Sequence, residues 1–313
     1  MCGIAGVMHR GRTSTVGSEM TTMLKAMKHR GPDSTGFALY QESMPKNKFV
    51  MRFKVAEGSE AQSGFDIQSI MQERIQKVDT RLQELKAVVE KNSQDTIYAC
   101  RYEFEFDGSL RKLANYIEDL EGVEILSIGK GLELIKDLGD ADNVSDTYNL
   151  RGFSGTHAIG HTRMATESDV DIRSAHPYWA YPFSDVSVVH NGQLTNYWTK
   201  RRELERKGHR FMSNCDSELV AVYIADSIDQ GKSLEQSMNE SLTELDGVFT
   251  YLIATSDQLG MAKDTMAAKP MVLYESDEIV ALASEEVAIR TIFEGEIDTT
   301  DPYDGEVRVW QAE

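Results

Sequence analysis

Cys2 has the residue type and the position of an N-terminal nucleophile. If Met1 is removed, Cys2 becomes the terminal residue, and a free α-amino group has a pKa near ~8. One residue then carries both a thiol nucleophile and a base that activates it, which is the arrangement of N-terminal nucleophiles. A cysteine at this position is a weak signal by itself, because it also fits a passive residue in an apolar segment.

Four further blocks of small and polar residues follow the run CGIAG. They are HRGPDSTG at 29–36, GHTRMAT at 160–166, HNG at 190–192 and NCDSE at 214–218. Hydrolysis of an amide passes through a tetrahedral oxyanion, which needs preorganised hydrogen-bond donors. The side-chain amide of Asn191 and the backbone N–H of Gly192 suit that purpose, since a missing Cβ permits close approach. The same block also fits a tight turn after a strand, and the two interpretations are compatible.

In this order, the five blocks resemble the class II glutamine amidotransferases. That family includes the glutaminase domains of glutamate synthase, amidophosphoribosyltransferase, glucosamine-6-phosphate synthase and asparagine synthetase. The resemblance covers residues 1–40 and 155–290. It implies that Cys2 is the nucleophile, and that Asn191 and Gly192 form the oxyanion hole.

The resemblance also implies how free glutamine is held. Arg163 matches the family residue that binds the α-carboxylate, for which a bidentate guanidinium is suited. Asp216 matches the residue that binds the α-ammonium, and Thr166 adds a hydroxyl contact. Arg30 resembles a family residue near the nucleophile, and we expect it to position the Cys2 loop. Arg163 alone would fit a surface ion pair, which contributes little.

The sequence departs from the family at two places. Met164 stands where family members often have Trp, and residues 263–270 carry TMAA between their KD and KP pairs. That variant, together with a long insertion after Tyr40, is closest to glutaminase subunits similar to glutamate synthase.

The histidines and the remaining cysteines do not predict a metal-binding site. The histidines at 29, 161, 176 and 190 lack metal-ligand spacing, and the family needs no metal, so we expect none; His176 is expected to order a loop. Three scattered cysteines do not form a disulfide framework. Cys100 is expected to be buried, and Cys215 is expected to be incidental to the site.

The hydrophobic periodicity predicts elements in three regions. Helices are predicted at 18–28, 65–90, 110–120, 130–138, 218–230 and 233–245. Strands are predicted at 96–106, 122–128, 156–161, 186–190, 247–255, 260–263, 271–274 and 279–284. Ser233 and Gln236 form a capping-box pattern at the start of the last helix.

Many short strands with a few helices indicate an α+β fold with mostly antiparallel sheets. The resemblance implies a four-layer αββα sandwich of the N-terminal nucleophile hydrolase type. We expect residues 1–40 and 155–313 to form the glutamine amidotransferase domain. Residues 41–154 are expected to form an inserted small α/β lobe, which is a candidate partner interface.

Composition limits the classes of partner. The net charge of the 313 residues is −18, which disfavours nucleic acid and anionic membrane surfaces. No apolar run approaches the ~20 residues of a membrane span, and no secretory signal is visible. We therefore expect a cytoplasmic protein.

The sequence lacks a P-loop, a dinucleotide-binding motif, an FMN barrel and an Fe–S cysteine set. We therefore expect the ammonia acceptor site on separate synthase subunits of a hetero-oligomer, with no cofactor in this chain and FMN on a partner. The resemblance favours the glutaminase subunit of N-methylglutamate synthase. The alternatives are a split glutamate synthase and a catalytically silent subunit that binds glutamine for regulation or assembly.

Overall fold

The fold is seen in a computed structural model that describes residues 2–56, 60, 66–164 and 172–313. The described strands are β1 (Gly3–His9), β2 (Ser34–Tyr40), β3 (Lys48–Lys54), β4 (Val88–Gln94), β5 (Ala99–Glu105), β6 (Glu124–Gly129), β7 (Leu132–Leu138), β8 (His157–Arg163), β9 (Tyr178–Trp179), β10 (Ser187–Leu194), β11 (Gly247–Ala254), β12 (Gln258–Lys263), β13 (Val272–Glu275), β14 (Ile279–Ala283) and β15 (Val307–Gln311). The described α-helices are α1 (Val16–Ala26), α2 (Asp66–Glu84), α3 (Leu110–Glu118), α4 (Ala141–Thr147), α5 (Tyr197–Arg206), α6 (Asp216–Asp229), α7 (Leu234–Glu244) and α8 (Glu286–Arg290).

Two antiparallel sheets stack face to face at the centre of the molecule. The first has the order β13-β14-β1-β8-β2-β7, and the second has the order β15-β12-β11-β10-β9. Helices α1, α4 and α8 cover the outer face of the first sheet. Helices α6 and α7 cover the outer face of the second. This arrangement confirms the predicted α+β fold with four layers in the order αββα.

Small and apolar residues allow β1 to lie at the centre of this stack. All seven residues of β1 are buried, and the strand pairs with β8 on one side and β14 on the other. A Cβ on Gly6 would lie 3.0 Å from Leu252 in the facing sheet, so the glycine lets the two sheets approach closely. Met20 and Met23 of α1 pack on the opposite face of the sheet as part of the core. Cys2 is therefore fixed at the start of a fully buried strand.

Helix boundaries follow the local signals where those signals are strong. Ser233 accepts a hydrogen bond from the backbone N–H of Gln236, and the Gln236 side chain accepts one from the backbone N–H of Ser233, so the predicted capping box is confirmed. Helix α2 ends at Glu84, short of the predicted end at 90. Lys86 adopts a left-handed conformation with a φ of 62°, and the chain then turns into β4.

A third sheet of four strands, in the order β4-β5-β3-β6, forms a separate lobe. The order of its elements along the chain is β3-α2-β4-β5-α3-β6, which is a split βαβ arrangement. Helices α2 and α3 contact each other and pack on this sheet.

The segment 130–138 differs from its sequence prediction. It was predicted as a helix in the inserted lobe, but β7 is a strand that pairs with β2 over its whole length in the first large sheet. In the sequence, the charged residues at positions 133 and 136 have the spacing expected for the polar face of a helix. In the structure both are buried between the lobe and the large sheet. The separate sheet of the lobe therefore comprises residues 48–129, and β7 and α4 lie with the sandwich.

Among the described residues, no helix combines the length and the apolar character needed to cross a membrane.

Candidate active site

A cleft of about 550 Å³ opens where the ends of β1, β8 and β10 meet the start of α6. Five of the residues predicted from the sequence line it: Cys2, Arg163, Asn191, Gly192 and Asp216. They come from positions that lie far apart in the chain, and the two stacked sheets bring them together. Thr166, the further predicted contact, lies outside the described residues.

Cys2 is partly exposed directly before β1. Two side chains hold its backbone in place. The Arg30 guanidinium donates from Nε to the Cys2 carbonyl at 3.1 Å. The Asn191 side-chain amide donates to the same carbonyl oxygen at 3.0 Å. The thiol lies 4.0 Å from the carbonyl oxygen of Met164. The nucleophile is therefore presented by a backbone that two side chains hold in place.

Arg30 has the contacts that a positioning role requires. Its Nη1 donates to Glu285 at 2.5 Å, and His29 lies 3.0 Å from the same carboxylate. The neighbouring Gly31 permits this placement, because a Cβ there would lie 2.2 Å from the carbonyl carbon of Arg163. Arg30 thus links the backbone of Cys2 to the carboxylate of Glu285.

Asn191 and Gly192, the predicted oxyanion pair, lie in β10, and β11 holds their backbone. Gly192 has a φ of 144°, a conformation that glycine adopts far more readily than other residues. A Cβ at this position would lie 2.1 Å from the carbonyl oxygen of Val248 and 2.6 Å from the Cα of Phe249. Only glycine therefore fits at this position. Without a Cβ, its backbone N–H can approach a ligand in the cleft closely, as an oxyanion donor must.

The two charged residues of the predicted clamp are fixed in different ways. Arg163 is the last residue of β8 and is 9% exposed. Asp216 is the first residue of α6, where a negative charge is favourable, and its Oδ2 accepts a hydrogen bond from the backbone N–H of Leu194 at 2.9 Å. Opposite charges are therefore held at two walls of one cleft.

The loop that leads into α6 is organised by a buried carboxylate. Glu218 accepts hydrogen bonds from the backbone N–H groups of Met212 and Ser213, each at 2.7 Å. Burial raises the pKa of Glu218. This local network fixes the start of the helix and with it Asp216.

Three histidines cluster around Ser217, and the sequence did not predict that these four residues lie together. The Ser217 hydroxyl lies 2.7 Å from Nε2 of His176 and 2.7 Å from Nδ1 of His190. The ring of His161 stacks on that of His176 with centroids 4.1 Å apart. The three histidines and the serine all line the cleft. The adjacency of Ser217 to Asp216, and of His190 to Asn191, was the available signal.

Burial favours the neutral form of these three histidines. Burial lowers the pKa of His161 to about 3, and the nearby Arg163 acts in the same direction. Burial also lowers the pKa of His176 and of His190. The described residues include no group of three or more His, Cys, Asp or Glu side chains placed to hold a metal ion.

The other cysteines are not activated as nucleophiles. Burial raises the pKa of Cys100 to about 12. Burial and the adjacent Asp216 raise the pKa of Cys215, whose Sγ lies 3.7 Å from Asp216 Oδ1. A thiolate is disfavoured at both positions.

Comparisons with known proteins identify the family of the chain. A family model described as a glutamine amidotransferase domain matches residues 161–291. A relative from Methanothermobacter thermautotrophicus, described as a glutamine amidotransferase, is 39% identical over 314 residues, covering 99% of this chain and 100% of the relative. The chain belongs to the class II glutamine amidotransferases.

Other similarities extend over the length of this amidotransferase. The glutamine amidotransferase-like protein GlxB of Rhizobium meliloti is 32% identical, over 100% of this chain and 96% of GlxB. The fold also matches the solved glutamine phosphoribosylpyrophosphate amidotransferase of B. subtilis with a TM-score of 0.60 and 17% identity, covering 98% of this chain and 47% of that one.

The amidotransferase has a second cavity on another side of Cys2, of about 390 Å³. Cys2, Asn191 and Gly192 line both cavities, so the predicted nucleophile and the predicted oxyanion pair lie between them. The second cavity is lined further by Arg30, Met164, Gln193, Val248, Lys269 and Pro270.

Proposed function

We propose that the protein is a glutaminase subunit that hydrolyses the side-chain amide of glutamine through a Cys2 thioester and delivers ammonia to a separate synthase subunit, that of N-methylglutamate synthase. One observation carries the proposal: the residues proposed as nucleophile, oxyanion donors and charged clamp line a single cleft. Membership of the class II glutamine amidotransferases supplies the reaction type.

The first chemical step is acyl transfer to Cys2. The α-amino group of Cys2 accepts the thiol proton, and the sulfur attacks the amide carbon of glutamine. The Gly192 N–H and the Asn191 side-chain amide stabilise the oxyanion, an effect worth several kcal/mol in such sites. The proton returns to the leaving nitrogen, ammonia departs, and water then hydrolyses the thioester to glutamate.

The clamp gives the cleft its preference for a free amino acid. In the proposal Arg163 binds the α-carboxylate of glutamine, and Asp216 binds the α-ammonium. Arg163 is almost fully buried, and charge-assisted hydrogen bonds are stronger where water is excluded. Thr166 is proposed to add a hydroxyl contact, and Arg30 to hold the Cys2 loop.

Ammonia would leave towards a partner subunit. The second cavity beside Cys2 supports this proposal, because its lining includes neither Arg163 nor Asp216, so ammonia need not pass the bound amino acid. The partner is proposed to hold the FMN and the acceptor site, and this chain is proposed to need no cofactor of its own.

Glutamate release from glutamine tests the nucleophile. Cys2→Ala should lower the rate by about 1,000-fold or more, because no other group replaces the attacking atom. Cys100→Ala is the matched control, since it removes a buried thiol outside the cleft, and it should retain activity. Equal rates for Cys2→Ala and the unaltered chain would refute the assignment. Retention of Met1, detected by intact mass, would equally contradict the mechanism, because the α-amino group of Cys2 would be blocked.

A further inference from the structure

The hydroxyl of Ser217 bridges two buried imidazoles at the base of the cleft. Its distances to His176 Nε2 and His190 Nδ1 are both 2.7 Å. Ser217 is 1% exposed, and the two histidines are 8% and 3% exposed. A hydroxyl carries one proton, so it donates to one ring and accepts from the other. One hydroxyl therefore sets the tautomers of both neutral histidines.

The carboxylate of Asp216 decides which of the two arrangements is favoured. Asp216 Oδ1 lies 3.9 Å from His190 Nδ1. A proton on that nitrogen places the positive end of an N–H dipole towards the carboxylate, whereas a lone pair would face it unfavourably. His190 therefore donates to Ser217, and Ser217 donates to His176. Both hydrogen bonds of the Ser217 hydroxyl then have a defined direction.

The hydrogen bonds of Ser217 connect α6, which carries Asp216, to β10, which carries Asn191. Ser217 follows Asp216 at the start of α6, and His190 precedes Asn191 in β10. His176 lies in the segment that precedes β9. Lys136, a buried lysine of β7, donates to the carbonyl oxygen of Ala175 at 3.2 Å in this segment. The serine thus contacts side chains whose backbones are themselves fixed.

We propose that Ser217 is a positioning residue for ammonium recognition, which holds the Asp216 carboxylate in register with β10 so that the cleft discriminates glutamine from amides that lack an α-ammonium group. The inference rests on the proposed function, in which Asp216 binds the ammonium. It assigns to Ser217 a contribution to specificity, whereas the thioester chemistry belongs to Cys2.

Equilibrium binding to a chain that cannot turn over tests this role. In the Cys2→Ala background, the Kd values of glutamine and of glutaramate, which is glutamine without its α-ammonium, are measured by calorimetry. Ser217→Ala should lower the preference for glutamine over glutaramate by about tenfold, because the start of α6, which carries Asp216, loses its side-chain hydrogen bond to His190 of β10. Ser217→Thr keeps the hydroxyl and should restore most of that preference.

The control is Ser227→Ala, which removes another buried hydroxyl from α6 at a distance from the cleft. It should leave the ratio of the two Kd values unchanged. A purely structural role of Ser217 would weaken both ligands equally, so an unchanged ratio in Ser217→Ala would overturn the inference. Ammonia delivery plays no part in this measurement. Failure of partner-dependent product formation would therefore refute the proposed function and leave the Ser217 result intact.

Discussion

At the scale of single residues, Gly192 is the position at which geometry restricts chemistry most. Its backbone has a φ of 144°, and a Cβ would meet Val248 and Phe249 of β11. Gly192→Ala should therefore shift β10 and displace a donor of the oxyanion hole. We expect glutamate release to fall by about 100-fold and the free energy of unfolding to fall by about 1–3 kcal/mol. Steady-state kinetics and denaturant unfolding measure the two effects.

Gly208→Ala is the control for Gly192→Ala, because it introduces backbone strain without a steric clash. Gly208 has a φ of 92°, but a Cβ there would meet no atom within 4 Å. This control should lose some stability through the strained φ while keeping its rate. Comparable loss of rate in both variants would show that the cleft does not depend on the position of Gly192.

The residues of the site differ in how far the sequence predicts them. Cys2, Asn191 and Asp216 stand in recognisable blocks, and their chemistry follows from residue type. Ser217 stands in the same block as Asp216, but its contacts do not follow from residue type, because its two partners lie 41 and 27 residues away. A serine acquires this function only when the fold brings the two imidazoles to it.

At the scale of elements, a buried carboxyl group at the junction between α3 and β6 should make the free energy of unfolding depend on pH. Glu118 at the end of α3 accepts a hydrogen bond from the backbone N–H of Ile125 at 2.8 Å. Burial raises the pKa of Glu118 from 4.5 to about 8. Between those values the folded state binds more protons than the unfolded state, so the free energy of unfolding falls as the pH rises.

Glu118→Gln should remove that part of the pH dependence. The amide oxygen of the substituted side chain retains the acceptor for Ile125 and carries no charge to bury, so at pH 8 the variant should exceed the unaltered protein in free energy of unfolding by about 1 kcal/mol or more. Urea unfolding at pH 5 and pH 8 measures this difference. Glu121→Gln, at an exposed position nearby, should follow the unaltered protein. A Glu118→Gln profile parallel to the unaltered one would contradict the prediction.

Elements were predictable where their signals are local. The apolar stripe of α1 and the capping box of α7 suffice to identify those helices. The strand β7 was not predictable, because Glu133 is buried by Arg52 and Arg101, which belong to β3 and β5. Charges neutralised by distant residues resemble an exposed helical face when only the sequence is known.

At the scale of the whole molecule, charged pairs join the lobe to the sandwich. Glu133 of β7 is 2% exposed and pairs with Arg52 at 2.7 Å and Arg101 at 2.8 Å. Lys54 of β3 donates to the carbonyl oxygen of Lys136 at 2.9 Å. Removal of one partner from a buried pair leaves an uncompensated charge. These contacts therefore hold the lobe in a defined orientation relative to the cleft.

A lobe held in this way is suited to present a surface to the proposed synthase subunit. Val88 is 60% exposed and Ile97 is 53% exposed, both on or beside the edge strand β4, and apolar side chains in an interface are buried on association. Val88→Glu and Ile97→Glu should each reduce co-purification of a yellow, flavin-containing partner while glutamate release by the isolated chain is retained. Affinity purification followed by flavin absorbance measures the first effect. Val287→Glu on α8, where Val287 is 49% exposed, is the control. Equal partner recovery from the lobe variants and this control would exclude the lobe as the interface.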